Sequence, residues 1–534
     1  MLKKYFVVVD HPDYKEDVHN GLQAADGTDT IPDRSVECLE SFPHSNYNGV
    51  FLLTDEEAEK LKADPKVRDV HLSPEEQGFV LQKHGTRPGS YDKSFNSISS
   101  SHRNWGLARC ISATENFGTS NTLTNFTYNL TGKGVDVIIM DTGVEPWHPE
   151  FAVNSDGTGG TRCVDIDWTS YGAITSVPTG GFMGDCDGHG TNIATIIAGN
   201  TCGWAPDAKI YSFRIISNGT AGPYNSISDN RTLTLVNELN AWQTVRLFHQ
   251  NKSVDPTTGY KRPTVVNASY GYTTDYSRMT SVTYRGVTRS TTTTTGNTSL
   301  LYGTLGYYDC PGDGTCPVRV SAVDAEIANC IAAGVIITGS AGNDSHKIDK
   351  PTGSDYNNYW TSSLYGNIYY HRGSTPSAAT DVICVGAISY SLPEHKASFS
   401  ATGPRIDVFA PGYIIAGGWN SGSNGGGLNA VVDPRSSIST SSGASYYINK
   451  ITGTSQASPQ VAGICALYAE LRPWSTPQQV RTWITATSAK NLLSESFYGT
   501  FVNTGTYTNW AGLQAAGNNY LFMPFSLPNP LTIA

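Results

Sequence analysis

The stretch that most constrains this chain is Gly453-Thr-Ser-Gln-Ala-Ser-Pro-Gln-Val-Ala-Gly463, a Gly-Thr-Ser turn set directly ahead of an apolar helix. Val461, Ile464 and Tyr468 mark one face of that helix at helical spacing. Ser455 therefore belongs at a helix N-terminus, where backbone N–H groups without intrahelical partners and the positive end of the helix dipole gather. Such a place suits a nucleophile whose reaction builds negative charge on a neighbouring oxygen. An ordinary Ser/Thr helix cap looks the same locally, so the choice rests on two motifs upstream.

The first, Val135-Asp-Val-Ile-Ile-Met-Asp-Thr-Gly143, is an apolar run too short for a helix, and it ends in Asp141 and a glycine turn. It reads as a buried parallel strand that delivers a carboxylate at its C-terminal end, where sites form in open α/β sheets. The second, Asp187-Gly-His-Gly-Thr191, runs into Ile193, Ile196 and Ile197 at i, i+3 and i+4, which sets His189 at the start of a second amphipathic helix. Taken in chain order, Asp, His and Ser match the subtilisin arrangement of a catalytic triad, not the chymotrypsin or α/β-hydrolase order. On these blocks the chain resembles the subtilisin-like serine proteases, the subtilases. A fourth block, Gly334-Val-Ile-Ile-Thr-Gly-Ser-Ala-Gly-Asn343, is similar to the segment where that family carries its oxyanion-hole asparagine after a buried strand.

The resemblance spans roughly residues 104 to 490. It implies an α/β fold in which a mostly parallel sheet is flanked by helices on both faces. It also implies roles: Ser455 as nucleophile, His189 as general base and acid, Asp141 as the group that orients the imidazole, and Asn343 as oxyanion donor beside the Ser455 N–H. Ser269, Tyr270 and Gly271 fall where the family binds the substrate backbone and forms one wall of the specificity pocket, and Ser340, Ala341 and Gly342 where it forms the other. The implied reaction is peptide-bond hydrolysis through an acyl-enzyme, with a protein or peptide as substrate and no cofactor in the chemistry. Asn192 stands where many relatives have a second histidine, and Gln456 where many have methionine, so altered packing is expected near the site.

A length of 534 residues accommodates one large domain and a small one. Residues 1–76 read as a unit with strands at Tyr5–Val9, Gly49–Leu53 and Val67–Leu72, and a helix from Thr54 to Ala63 with acidic residues in its first turn. That unit resembles the family's inhibitory propeptide, a small α+β domain, and implies that the chain inhibits itself in cis. A generic α+β interaction module has the same layout. Residues 77–104 turn polar, as a linker does, and are expected to hold a self-processing site between Glu75 and Asn104. Residues 105–534 follow as the catalytic domain, opening at Trp105-Gly-Leu. Its surface insertions are expected near 272–317, 344–378 and 413–448, as loops and hairpins without helical periodicity.

A formal net charge of −10 argues against nucleic acid or an anionic membrane as partner. Runs of ~18 apolar residues, which a membrane helix needs, are absent. Met1-Leu-Lys-Lys-Tyr-Phe-Val-Val-Val-Asp10 reads as a strand and not as a signal peptide, which favours an intracellular or virus-particle setting. Of the ten cysteines, Cys110, Cys384 and Cys465 lie in apolar elements and are expected in the core. Cys310 with Cys316, or two of Cys163, Cys186 and Cys202, are candidate disulfides, and no Cys/His spacing suits zinc. For metal the expectation is none: the family's structural calcium would use Glu150, but the loop after the histidine helix looks too short to supply the ~6–8 oxygens calcium takes. Two other classes compete. Asp141-Thr-Gly143 is also the aspartic-protease signature, but that chemistry pairs two carboxylates and no second such motif exists. The Tyr/Asn/Thr/Gly-rich insertions and the tail Asn518–Pro530 motivate a structural or virus-particle component on the same fold.

Overall fold

The computed structural model describes residues 2–83, 104–110, 130–216, 235–275, 279–290, 315–420, 430–436, 445–494 and 513–522. Short gaps fall within these spans at 28–29, 32–33, 43–44, 74–75, 77–79, 155–156, 179, 257, 391–392, 434 and 514–515. The N-terminal unit has strands β1 (Lys3–Val9), β2 (Cys38–Glu40), β3 (Asn48–Leu53) and β4 (Val67–Leu72), with helices α1 (Lys15–Gln23) and α2 (Asp55–Leu61). The strands form one sheet in the order β2-β3-β1-β4. Thr54 and Glu57 close a reciprocal capping box at the start of α2, satisfying two donors that the helix cannot. The pattern of β1 explains its burial on both faces. Tyr5, Val7 and Val9 pack with Val18, Leu22 and Leu61 of the unit's own helices, whereas Phe6 and Val8 belong to the core of the larger body.

A fifth strand, β5 (Val80–Lys83), and a short helix, α3 (Trp105–Cys110), lead into that larger body. Its sheet is built from β6 (Asp136–Asp141), β7 (Lys209–Arg214) and β8 (Thr264–Ala268), with helices α4 (His189–Ala198) and α5 (Leu235–Gln250) as crossovers. After β8 the chain runs straight into β9 (Tyr270–Asp275), then β10 (Met279–Tyr284), β11 (Val287–Ser290) and β12 (Thr315–Pro317), before α6 (Ser321–Ala332) returns it to the sheet at β13 (Ile336–Ser340). There follow β14 (Tyr359–Ser362), β15 (Gly366–Ile368), β16 (Ile383–Ile388) and β17 (Val408–Pro411). A hairpin comes next: β18 (Ile415–Trp419), β19 (Val431–Val432) and β20 (Tyr447–Ile451). Helices α7 (Thr454–Leu471) and α8 (Pro477–Thr487) precede the closing strands β21 (Ala489–Lys490) and β22 (Asn519–Tyr520).

The main sheet has eight strands in the order β21-β22-β17-β16-β13-β8-β6-β7, parallel throughout except for the β21–β22 edge pair. Alternation along β6 assigns the layers: Val137 and Ile139 face α4 and α7, while Ile138 and Met140 face α5 and α6. Both faces are therefore covered by helices, as a parallel sheet requires. All the strand ends singled out by sequence, at Asp141, Ala268 and Ser340, open on the C-terminal edge.

The insertions are more built-in than surface loops and hairpins. Strands β10 and β11 from the first join β14 and β15 from the second in one four-stranded sheet, order β11-β10-β14-β15, with Met279, Val282, Trp360 and Tyr370 buried in the core beneath it. Arg285 fastens the two segments through the Asp355 carboxylate. In the third, β18, β20 and β19 pair as a small sheet against α4. Cys110, Cys384 and Cys465 are fully buried, as expected. No disulfide joins any two of Cys163, Cys186 and Cys202, and the Cys310–Cys316 pairing lies outside the described residues. Among the described residues no helix is long and apolar enough to cross a membrane.

Candidate active site

Asp141 ends β6 fully buried, and its Oδ1 lies 2.7 Å from His189 Nδ1. The carboxylate fixes the ring: Nδ1 carries the proton that it accepts, which leaves the lone pair on Nε2. That Nε2 is buried and has no hydrogen-bond partner among the described residues. What brings α4 to this position is a second buried carboxylate, Asp185. Its Oδ1 accepts from the Thr142 hydroxyl at 2.8 Å and from the N–H groups of Asp187 and Gly188 at 3.0 and 2.9 Å, and its Oδ2 accepts from Thr191 N–H at 3.0 Å. The start of the helix is thus tied to the residue after Asp141. Two glycines make the approach possible. Gly188 has φ 103°, and a Cβ there would fall 2.3 Å from the Trp419 ring; a Cβ on Gly190 would fall 2.0 Å from Gly143 O.

Ser455 is the second residue of α7 and is fully buried. Its hydroxyl donates to Ser269 O at 3.1 Å, and the Ser269 hydroxyl returns a bond to Ser455 O at 3.0 Å. The expected Ser455–His189 hydrogen bond is therefore not made here, because the hydroxyl is turned to the strand end instead. On the other side of the same turn, Asn343 Oδ1 accepts from Thr454 N–H at 2.8 Å and from the Thr454 hydroxyl at 2.9 Å, and Gly342 N–H donates to Thr454 Oγ1 at 3.2 Å. With Oδ1 held, Nδ2 is the end of the amide able to donate to an oxyanion. Ser340 and Ala341 are buried in the lead-in from β13. Both predicted walls thus grip the Thr454–Ser455 turn.

Tyr270 departs from the expected cleft-lining role. It is fully buried, and its hydroxyl donates 3.0 Å to Glu238 Oε1 of α5. Glu238 also receives the Tyr272 hydroxyl and, at 3.2 Å, the Trp242 indole N–H. Sequence reasoning missed both Asp185 and Glu238. Asp185 had a local signal, an acidic residue four positions before the histidine in a turn, whereas Glu238 meets partners more than thirty residues away. The two expected departures meet each other: Gln456 Nε2 donates to Asn192 Oδ1 at 3.3 Å.

Strand β5 lies antiparallel on the free edge of β9, with Val80 opposite Thr273, Leu81 opposite Tyr272, Gln82 opposite Gly271 and Lys83 opposite Tyr270. The backbone edge of Tyr270–Thr273 therefore takes an extended chain here, and Tyr270 and Gly271 of the expected binding edge belong to it. Among the described residues no group of three or more His, Cys, Asp or Glu side chains is arranged to hold a metal ion.

A model of the subtilase family matches residues 132–506. The extracellular serine proteinase of Thermus sp. (strain Rt41A) is 26% identical over 442 residues, covering 83% of this chain and 71% of that protein. The subtilase-type proteinase psp3 of Schizosaccharomyces pombe is 25% identical over 393 residues, covering 73% of this chain and 59% of that protein. Among solved structures, fervidolysin from Fervidobacterium pennivorans, a keratinolytic enzyme related to subtilisin, is similar over the whole of this chain and 62% of its own, with a TM-score of 0.51 at 17% identity. That likeness supports the fold alone.

Burial pushes the Glu238 carboxyl up from its ordinary value of 4.5 to about 7, against the three donors that hold it. The folded chain therefore keeps a proton that the unfolded chain releases between these values. The contribution of Glu238 to stability is full below pH ~4.5, falls as pH rises towards ~7, and levels off above. Glu238→Gln, which cannot titrate, is expected to flatten that decline, read as guanidinium midpoints at about pH 5 and pH 8 in a Ser455→Ala background.

Proposed function

The chain belongs to the subtilase family of serine endopeptidases, and on that premise we propose that it cuts peptide bonds through an acyl-enzyme on Ser455 and is made as a self-processing zymogen. The observation that carries the chemistry is the 2.7 Å Asp141–His189 bond, with Ser455 at the start of α7, the helix that packs against the one His189 opens. A serine hydroxyl is a weak nucleophile at neutral pH. Rotation of Ser455 about χ1, away from Ser269 O, brings Oγ to His189 Nε2, which takes the proton during attack and returns it to the leaving amine. Asp141 keeps the imidazole in the tautomer this needs and stabilises the imidazolium. Asn343 Nδ2 and the Ser455 N–H donate to the oxyanion of the tetrahedral intermediate.

Zymogen behaviour is supported by where β5 lies. Antiparallel to β9, the chain advances from Thr273 at Val80 to Tyr270 at Lys83, running towards the end of β9 that follows Ser269, whose carbonyl holds the Ser455 hydroxyl. The first cut falls between Glu75 and Asn104, in the linker to which β5 belongs. A tethered segment meets its own site at high effective concentration, which makes this cut intramolecular. The N-terminal unit then remains as an inhibitor, its sheet packed on α5 and α6 and its Ser45 and Asn48 side chains bonded to Glu326.

The nucleophile is tested with a fluorophosphonate probe, which labels the wild type and not Ser455→Ala; labelling of both would remove Ser455 from this role. Asn343→Ala is expected to lower kcat by ~100–1,000-fold with KM little changed, a range carried over from the same kind of donor in subtilisin, a member of the family. A rise confined to KM would make Asn343 a binding residue only. For processing, intact mass of the wild type should give two fragments split between Glu75 and Asn104 at a rate independent of protein concentration, while Ser455→Ala stays whole. A wild type that stays whole while the probe labels Ser455 would make the N-terminal unit a permanent domain.

A further inference from the structure

The family resemblance implies a structural calcium ion at Glu150, and the groups around that carboxylate have the wrong sign for one. Calcium needs ~6–8 oxygens turned towards it. Around Glu150, which is fully buried, the loop after α4 turns donors inward instead: Thr201 N–H at 3.0 Å and Cys202 N–H at 2.9 Å reach Oε2, and the Thr201 hydroxyl at 2.5 Å reaches Oε1. The carbonyl oxygens nearby are also engaged. Arg162 Nη2 donates to Glu150 O at 2.8 Å and Ala198 O at 2.7 Å, and Asn200 Nδ2 donates to Ala152 O at 2.9 Å.

A positive charge is nonetheless present. Arg435, from the segment after β19, places Nη2 2.5 Å from Glu150 Oε1 and 2.6 Å from Asp433 Oδ2, with Nε 3.0 Å from Asp433 Oδ1. Asp433 is fully buried, and its Oδ1 also takes the Arg435 N–H at 2.9 Å. The neighbouring His148 adds no charge: its Nδ1 accepts the Glu150 N–H at 3.1 Å, so the ring proton lies on Nε2, which faces Tyr447 O at 2.9 Å. We infer that the Arg435 guanidinium takes the place of a structural calcium ion at Glu150, so that this support of the active site does not depend on calcium.

The consequence reaches all three candidate catalytic residues. Glu150 lies on the segment that follows Asp141; Thr201 and Cys202 follow the helix that begins at His189; and Asp433 precedes β20, which runs into the Ser455 turn. A planar guanidinium fits two carboxylates at fixed angles, as a hydrated ammonium would not.

The experiment uses the full chain carrying Ser455→Ala, so that self-digestion does not intrude, and reads Tm with excess EDTA and with millimolar calcium. The parent is expected to show one Tm in both. Arg435→Met should lower it by several degrees, because two buried carboxylates lose their cation; calcium should not restore the loss, and Arg435→Lys should restore only part. A calcium-dependent rise in the parent that disappears in Glu150→Gln would overturn the inference, as would an Arg435→Met chain with unchanged Tm. The calcium comparison on the parent and on Glu150→Gln stands even where Arg435→Met gives no folded protein. None of these readings uses activity, so failure of the catalytic proposal would leave them intact.

Discussion

A buried carboxylate must be matched by donors or by a cation, and much of this structure follows from meeting that demand four times around one sheet edge. Asp141 is matched by His189, Asp185 by the turn that opens α4, Glu238 by two phenols and an indole, and Glu150 by Arg435 with the loop after α4. Three of these matches draw together segments far apart in the chain, and Asp185 does so through the Thr142 hydroxyl. Removing a partner would leave a charge or a dipole without compensation in a poorly solvated place, a loss of ~1–3 kcal/mol per neutral hydrogen bond and more for a charge. The site is held by polar groups that have few alternatives to their present geometry.

The same arithmetic explains how the N-terminal unit stays on the larger body. An isolated small α+β sheet has one apolar face to hide beneath its own helices. Here β1 has two, because Phe6 and Val8 continue into the core formed with α5 and α6. Ser45 and Asn48 then reach Glu326, and the Ser321 hydroxyl meets Asp69 and His71, so polar contacts fix the register of an apolar contact. Such a docking surface positions β5 on β9, which connects the fold of residues 3–72 to the edge where an extended chain binds.

How much of this was legible depended on how local the signal was. Strand β6 and the starts of α4 and α7 were readable because an apolar run or a helical stripe sits next to the residue that matters. Strand β4 and the α2 cap were readable for the same reason. Helix α1 was missed: Asn20 and Gly21 interrupt a segment of which only Val18, His19 and Leu22 are buried, so no stripe forms. The sheet that joins β10 to β14 was also out of reach, since its pairing spans about eighty residues and its threonine-rich strands alternate weakly. Tyr270 illustrates the limit within the site. It lies on β9, next to the paired β5, but the direction of its side chain depends on Glu238, which no local pattern connects to it.

The departures from the family pattern carry the remaining step. Asn192 and Gln456 looked like two independent substitutions flanking the histidine and the serine. The Gln456–Asn192 hydrogen bond makes them one arrangement in a buried space bounded by Gly417, where a Cβ would come 2.5 Å from Asn192 Nδ2. An amide pair places a polar bond where a thioether and an imidazole would pack differently, and a buried amide is tolerable only when it is hydrogen-bonded. Changing Gln456 alone to methionine would remove the donor to Asn192 Oδ1, so the two positions are coupled. The glycine at 417 and the thin β18 strand over α4 belong to the same arrangement, since a larger residue there would push Asn192 out of reach. Sequence divergence near Ser455 thus follows a physical coupling between α4, α7 and β18, and leaves the Asp141–His189 bond untouched.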